Sequence, residues 1–223
     1  MSPMKNVVEV EISSGDLTLP GIITNGRPDV GWVVFAHGSG SSRLSPRNQQ
    51  VASGLNKAGL GTLLFDLLTE DESSDRDNVF DIPLLASRLS IATEWLWKRA
   101  EANGMPTGFF GASTGAAAAL LAAANIGERI SAVVSRGGRP DLVMDDLPRV
   151  PAPTLLIVGE DDDLVLGLNK KALSNIPNGQ ILVIPGASHL FEEPGKLEEV
   201  TAHASNWFWR HFQEHKTRKT VSA

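Results

Sequence analysis

The chain has 223 residues, of which 42% are hydrophobic, and a formal net charge of −6 at pH 7. This is enough apolar material for one large core, and the acidic balance without a long basic run argues against nucleic-acid binding. The sequence contains no cysteine, which excludes disulfides, thiolate metal sites and a cysteine nucleophile. With no signal-peptide pattern and no apolar run long enough to span a bilayer, we expect a cytoplasmic protein with no membrane contact.

Strands and helices alternate along the chain. The predicted strands cover 7–12, 17–23, 32–36, 62–66, 107–110, 130–135, 154–158 and 180–184. The predicted helices cover 46–58, 82–102, 116–124, 165–173 and 197–212. The first two strands alternate apolar and polar residues, as in an edge hairpin, and most of the others are continuous apolar runs typical of strands covered on both faces. The order predicts an α/β fold with a doubly wound, mostly parallel sheet of about eight strands.

The sequence shows no repeat, linker or second domain. We therefore predict a single domain over 1–215 and a frayed tail over 216–223. The segment between Ser135 and Thr154 is too short for a helical lid. The acidic segment, defined as 67–79, is expected to be a solvated and mobile connection. Whether it acts as a mobile lid stays open.

A Gly-x-Ser-x-Gly motif lies between a predicted apolar strand and an alanine-rich helix, with Gly111, Ser113 and Gly115 at its fixed positions. A nucleophile elbow requires this context, because its serine adopts positive φ and the residues two away must be small. The same pattern could arise as a tight turn with an inert serine. Its place between strand and helix favours Ser113 as a nucleophile.

A serine nucleophile needs a base and an acid, which follow it along the chain in loops after strands. His189 lies just after the last predicted strand and is the candidate base. The histidines at His203, His211 and His215 lie on or beyond the last helix. His37 begins the loop after the third strand, where we expect it to support that loop.

The acid has several candidates. The first candidates are Asp161, Asp162 and Asp163, which follow the predicted strand 154–158. The alternatives are Asp141 and Asp145, which follow the predicted strand 130–135. The residues alone leave this choice open.

Two backbone N–H groups are predicted to form an oxyanion hole. In this design one belongs to the residue after the nucleophile and one to the loop after the third strand, which nominates Thr114 and Ser39. The sequence has no dinucleotide fingerprint, phosphate loop or metal-ligand spacing. We therefore expect neither a cofactor nor a metal site.

Four arginines are predicted to lie at the same edge of the sheet. Arg136 and Arg139 follow a strand. Arg43 and Arg47 follow the oxyanion loop, which is the loop 37–42 after the third predicted strand. Guanidinium groups bind carboxylate or phosphate bidentately, so Arg136, Arg139 and Arg43 are candidate substrate-binding residues for an anionic substrate. The alternative is that these arginines pair with local acids, such as Asp141 or those of the acidic segment.

The chain resembles a small, lidless α/β hydrolase related to the dienelactone hydrolases. The resemblance covers nearly the whole chain and is carried by the segments 35–43, 45–48, 111–115, 135–141 and 189–192. The Gly-x-x-Asp-x-x-Val pattern of such proteins, matched at 159–165, implies Asp162 as the acid. Authentic dienelactone hydrolases use a cysteine nucleophile, whereas this chain has Ser113, which favours serine-dependent ester chemistry. Some relatives are fused to a phosphoribosyltransferase-like domain, which implies a nucleotide-related context.

These observations predict a serine hydrolase that cleaves a small ester, lactone or thioester through an acyl-enzyme. Ser113 is the expected nucleophile, His189 the base and Asp162 the acid, in a monomer or homodimer. One alternative is a non-catalytic binding module on the same fold. Another is lyase or transferase chemistry by the same residues. A serine, acid and histidine in the expected order argue against the binding module, which has no need for all three.

Overall fold

A computed structural model of the protein describes residues 7–221, with side chains described up to residue 217. Its strands are β1 (Val7–Ser14), β2 (Leu17–Thr24), β3 (Trp32–Ala36), β4 (Gly61–Phe65), β5 (Thr107–Ala112), β6 (Ile130–Arg136), β7 (Thr154–Gly159) and β8 (Gly179–Ile184). Its helices are α1 (Pro46–Lys57), α2 (Glu70–Ser73), α3 (Arg76–Phe80), α4 (Ile82–Trp97), α5 (Thr114–Ile126), α6 (Asp163–Leu173) and α7 (Lys196–Val221). Every predicted strand is present, with each end within two residues of its predicted position.

The strands form one sheet in the order β1-β2-β4-β3-β5-β6-β7-β8. The β1–β2 and β2–β4 pairs are antiparallel, and every pair from β4–β3 to β7–β8 is parallel. The predicted doubly wound, mostly parallel sheet is confirmed. Between β6 and β7 the described chain forms only two short 3₁₀ turns, Pro140–Val143 and Leu147–Arg149, so no lid domain is inserted there.

Helices cover both faces of the sheet because side chains on the central strands alternate between two buried clusters. Phe109 and Val133 belong to the cluster that contains α4 and α5. Phe110 and Val134, one residue further along the same strands, belong to the cluster that contains α1 and α7. Strands buried on both sides must be apolar at every position, which is why β3 to β7 read as continuous apolar runs.

The arrangement of β3 and β5 opens a crevice at the carboxyl edge of the sheet. These two strands are neighbours, but the chain leaves β3 toward α1 on one face and leaves β5 toward α5 on the other. The two loops therefore diverge above the sheet. Ligand sites of doubly wound sheets lie at such a point.

The acidic segment, which was predicted to be a solvated and mobile connection, contains most of the two short helices α2 and α3. Thr69 forms a capping box with Glu72, in which each side chain accepts a backbone N–H of the other residue. Glu72 also pairs with Arg88 of α4. Local caps and one long-range ion pair order a segment whose composition predicted mobility.

Two predicted helix ends also differ. The helix predicted over 82–102 ends at Trp97, and Gly104, with φ +75°, closes the turn that follows rather than the helix itself. Much of the tail predicted to fray is helical, because α7 continues to Val221, while residues 222–223 lie outside the described part. An i,i+4 ion pair between Arg210 and Glu214 extends the helix beyond its apolar stretch. Within residues 7–221, no helix is both long and apolar enough to cross a membrane.

Candidate active site

Ser113 occupies the turn between β5 and α5 with φ +52° and ψ −121°. A residue other than glycine rarely adopts a positive φ, so the turn is strained. The flanking glycines leave no room for side chains. A Cβ on Gly111 would lie 2.4 Å from the Cα of Ala116, and one on Gly115 would lie 2.3 Å from the carbonyl oxygen of His37. This is the geometry that the nucleophile-elbow motif predicts.

Asp162 and His189 meet in the loops that follow β7 and β8. Asp162 Oδ2 lies 2.6 Å from His189 Nδ1, with the carboxylate side chain 13% exposed and the imidazole 39% exposed. Asp161 and Asp163 are exposed to solvent. Asp141, the alternative acid, accepts two hydrogen bonds from the Arg139 side chain. Of these carboxylates, Asp162 is the one within hydrogen-bonding distance of the histidine.

The His189 loop is held by backbone hydrogen bonds and by one buried ring. The Asp161 N–H donates to the Ala187 carbonyl at 3.0 Å, which joins the loops after β7 and β8. The Ser188 N–H donates to Glu193 Oε1 at 3.1 Å. Phe191 is 1% exposed and has φ +57°, so the loop accepts a strained backbone to bury this ring.

Ser113 and His189 approach the carboxyl end of β6 from two directions. The Ser113 N–H donates to the Arg136 carbonyl oxygen at 3.2 Å. The His189 ring packs over Gly137, where a Cβ would lie 3.4 Å from the ring atoms Cε1 and Nδ1. Within residues 7–217, neither the Ser113 hydroxyl nor His189 Nε2 forms a hydrogen bond. In ligand-free enzymes the hydrogen bond between a nucleophile and its base is often long and tightens only when substrate binds.

The two predicted oxyanion-hole residues lie in contact across the crevice. The Ser39 N–H donates to the side-chain oxygen Oγ1 of Thr114 at 2.8 Å. Thr114 is the first residue of α5, so its own N–H has no acceptor within the helix. The Ser39 N–H is therefore occupied by a hydroxyl, an arrangement that the position-based prediction missed.

His37 has the supporting role that the sequence suggested. Its Nδ1 lies 3.0 Å from the Gly38 carbonyl oxygen, and its Nε2 accepts the Leu67 N–H at 3.0 Å. Because Nε2 is an acceptor, we assign the proton of the neutral ring to Nδ1. Burial lowers the pKa of His37 below its ordinary value of 6.5, which keeps the ring neutral. The oxyanion loop is thereby attached to the chain that follows β4.

Two of the three candidate substrate-binding arginines are paired with carboxylates. Arg43 pairs with Asp66 through both its backbone N–H and its guanidinium. Arg139 binds Asp141 bidentately, and these hydrogen bonds raise its pKa. The alternative of pairing with local acids therefore describes Arg43 and Arg139. Arg136 differs, because it is only 7% exposed and forms neither an ion pair nor a hydrogen bond from its side chain within residues 7–217.

Sequence reasoning missed Asp66 as a partner of the oxyanion loop. The one signal was its position, a charged residue directly after an apolar strand at the edge where the loops converge. A cavity of about 590 Å³ lies beside this loop, lined by residues 37–43 and by residues of the acidic segment. A larger cavity of about 990 Å³ lies near Trp97, Ser131 and Pro153, toward the opposite edge of the sheet. Among the described residues, no three or more histidine, aspartate or glutamate side chains are grouped to hold a metal ion.

No family model matches the chain. A dienelactone hydrolase of Anabaena variabilis ATCC 29413 is 50% identical, with a TM-score of 0.90, over 94% of this chain and 99% of that one. The chain belongs to the dienelactone hydrolase-like α/β hydrolases. The resemblance inferred from the sequence is thereby confirmed. Est1E of Butyrivibrio proteoclasticus shares the fold at 15% identity, with a TM-score of 0.79 over 92% of this chain and 99% of its own.

Curated relatives of higher identity are longer than this chain. Two strains of Mycobacterium tuberculosis, H37Rv and CDC 1551, each have a protein 55% identical over 204 residues, which is 91% of this chain. The chain spans 46% of the length of each, and both carry phosphoribosyl transferase as a provisional name. The match to the Anabaena protein covers nearly all of both chains. The part of the longer proteins that this chain matches is therefore the hydrolase-like part.

Proposed function

We propose that the protein is a serine hydrolase that cleaves a small ester, lactone or thioester through an acyl-enzyme. The observation that carries the proposal is the 2.6 Å contact between Asp162 and His189, formed at the same carboxyl edge of the sheet as the strained Ser113. A carboxylate on Nδ1 fixes the neutral ring with its proton on that nitrogen, so Nε2 is left as a base. Strained backbone of this kind is costly and clusters at active sites.

In the proposed reaction, Ser113 Oγ attacks the carbonyl carbon while His189 Nε2 takes the hydroxyl proton. The C–O or C–S bond to the leaving group then breaks, and the leaving alkoxide or thiolate takes that proton from the imidazolium. Water attacks the resulting acyl-serine with Nε2 again acting as the base, which releases the acid and restores Ser113. Asp162 orients the ring and stabilises its charged form in both steps.

The N–H groups of Ser39 and Thr114 are proposed to stabilise the oxyanion. The Thr114 hydroxyl, which now accepts the Ser39 N–H, would have to release or share that hydrogen bond as the oxyanion forms. A full negative charge is the stronger acceptor, since charge-assisted hydrogen bonds are about twice as strong as neutral ones. The hydroxyl thus holds the donor in place before the reaction without blocking it.

The cavity beside the oxyanion loop supports a preference for small substrates. Its volume of about 590 Å³ is within the usual range for a small-molecule site, and no lid domain extends it. We expect activity on p-nitrophenyl esters to fall from butanoyl to dodecanoyl. A steady rise along that series would contradict the proposed size limit.

A fluorophosphonate probe tests the nucleophile. The wild-type protein should be labelled, Ser113→Ala should lose labelling, and its kcat should fall by about 10⁶. Ser174→Ala is the matched control, since Ser174 is an exposed serine after α6 whose hydroxyl donates to the Lys171 carbonyl. Labelling that survives in Ser113→Ala would refute the assignment.

The same experiment separates the alternatives. A binding module would not be labelled even as wild type. A transferase would be labelled, but its acyl-enzyme would be resolved faster by an added alcohol or amine than by water. A hydrolase should release free acid as fast as it consumes the ester, and the fluorophosphonate probe should inhibit this activity.

A further inference from the structure

Arg136 is a buried cation without an internal partner. It is 7% exposed, and its Nε and Nη1 atoms are both inaccessible to solvent and without a hydrogen-bond partner. A buried charge is normally paired, because desolvation of an unpaired ion is costly. Arg43 and Arg139 follow this rule at the same edge of the sheet, since each is bound to a carboxylate. Arg136 is the exception among the three.

The direction of the Arg136 side chain follows from the alternation along β6. Ala132 and Val134 face the cluster that contains α1 and α7, so Arg136, two residues further on, points to that same face. The same buried cluster contains residues of α1, at whose start Arg47 lies, and Ala187 and Phe191 from the loop of His189. The site of the unpaired guanidinium is thus bounded by elements that also form the candidate active site.

A second cation, Arg47, acts electrostatically on Arg136. Burial, together with the positive charge of Arg47, lowers the pKa of Arg136 to about 10. Arg47 itself donates one hydrogen bond to Glu192, while its Nε is buried without a partner. Two guanidinium groups that repel each other and both keep unsatisfied N–H donors suit a ligand with several acceptor oxygens.

We propose that Arg136, assisted by Arg47, binds an anionic group of the substrate, a carboxylate or a phosphate, next to the bond that Ser113 attacks. This inference rests on the proposed hydrolase function and names the substrate class. The anion pairs the buried guanidinium and removes the repulsion between the two arginines. Because the Arg136 carbonyl itself accepts the Ser113 N–H, the two residues are near enough for the anion and the reacting carbonyl to belong to one small molecule.

A matched ester pair tests this role. p-Nitrophenyl succinate carries a free carboxylate, and its methyl ester is the neutral analogue of nearly the same shape. Arg136→Met should lower kcat/KM for the succinate by about 10- to 100-fold and leave the methyl ester within about twofold. Arg136→Lys should retain part of the preference, because it keeps the charge without the planar fork. Arg149→Met is the control, since Arg149 is exposed and pairs with Asp146 away from the site.

Thermal unfolding distinguishes a ligand-binding role of Arg136 from a structural role. Replacing an unpaired buried charge by methionine should raise the midpoint of Arg136→Met by about 2–4 °C. A structural arginine would instead lower the midpoint and reduce activity on both esters equally. That result would overturn the proposal.

A third measurement does not depend on turnover. In the Ser113→Ala background, succinate and inorganic phosphate should each be tested for a rise in the midpoint that Arg136→Met abolishes. A rise with succinate alone assigns a carboxylate, and a rise with phosphate alone assigns a phosphate. If neither ligand raises the midpoint and the ester pair shows no discrimination, the anion site is wrong. If the fluorophosphonate fails to label the wild type but these shifts are seen, the hydrolase proposal fails and the anion site stands.

Discussion

One substitution made in two helices tests whether the elbow is as tight as the structure indicates. Gly115 is near the start of α5, and Gly167 is in the interior of α6. A Cβ on Gly115 would lie 2.3 Å from the carbonyl oxygens of Ala36 and His37, whereas a Cβ on Gly167 would meet nothing within 4 Å. Helix propensity alone favours alanine at both positions, by up to about 1 kcal/mol in a helix interior.

The expected effects therefore have opposite signs. At Gly115 the new methyl group is about 1.1 Å short of an ordinary contact of 3.4 Å, and the atoms that must move are backbone. Overpacking of this kind costs about 1–3 kcal/mol, so after the propensity gain Gly115→Ala should be destabilised by about 1–2 kcal/mol. For a chain of this length that lowers the unfolding midpoint by about 2–8 °C, whereas Gly167→Ala should raise it slightly.

Activity should follow the same geometry. The carbonyl that must move belongs to His37, which begins the loop carrying the Ser39 N–H. A displacement of about 1 Å in a catalytic group can cost about 10²-fold in rate. We expect kcat on p-nitrophenyl acetate to fall by roughly that factor in Gly115→Ala and to stay unchanged in Gly167→Ala, with midpoints measured by calorimetry. Equal midpoints and equal rates in the two variants would refute the packing argument.

Two further predictions concern the acid and the loop histidine. Asp162→Asn should lower kcat by about 10⁴. Asp161→Asn and Asp163→Asn, at exposed positions, should keep kcat within a few-fold of the wild-type value. Equal losses of kcat at two of the three positions would show that the assignment of Asp162 is wrong. Because burial lowers the pKa of His37 below 6.5, the unfolded state binds the extra proton, and stability should be complete above pH 6.5 and decline as the pH falls below it. Urea unfolding from pH 8 to pH 5 measures this slope, which should be reduced in His37→Asn but not in the exposed control His203→Asn.

The strands and the elbow could be predicted because their signals are local. A strand covered on both faces is apolar at every position, and a strand-to-helix turn with a strained serine requires small neighbours. The two short helices of the acidic segment were missed for the complementary reason. Its composition favours solvent, but Thr69 and Glu72 cap each other and Arg88 pairs with Glu72 from the next helix. Composition does not record such specific pairings.

The order and position of residues along the chain predicted the candidate site, but position could not show which arginine lacks an acidic partner. All of these arginines follow strands or the oxyanion loop, so the sequence does not distinguish them. The distinction depends on partners: Asp66 is 23 residues from Arg43 along the chain, while Asp141 is two residues from Arg139. Only the three-dimensional arrangement separates these paired arginines from Arg136.

Several costly features of this molecule lie at one edge of the sheet, although Asp29, the other described non-glycine residue with positive φ, precedes β3 at the opposite edge. Ser113 and Phe191 hold positive φ without being glycine, and Arg136 is a buried charge without a partner. Each feature is unfavourable by itself, and a sheet covered by helices requires none of them. They lie in or beside the loops that follow β5, β6 and β8, where Asp162 and His189 also meet. Unfavourable local structure that persists in one place is expected where a function depends on it. The strain at this edge therefore supports the proposed site through a physical argument that is independent of the family to which the chain belongs.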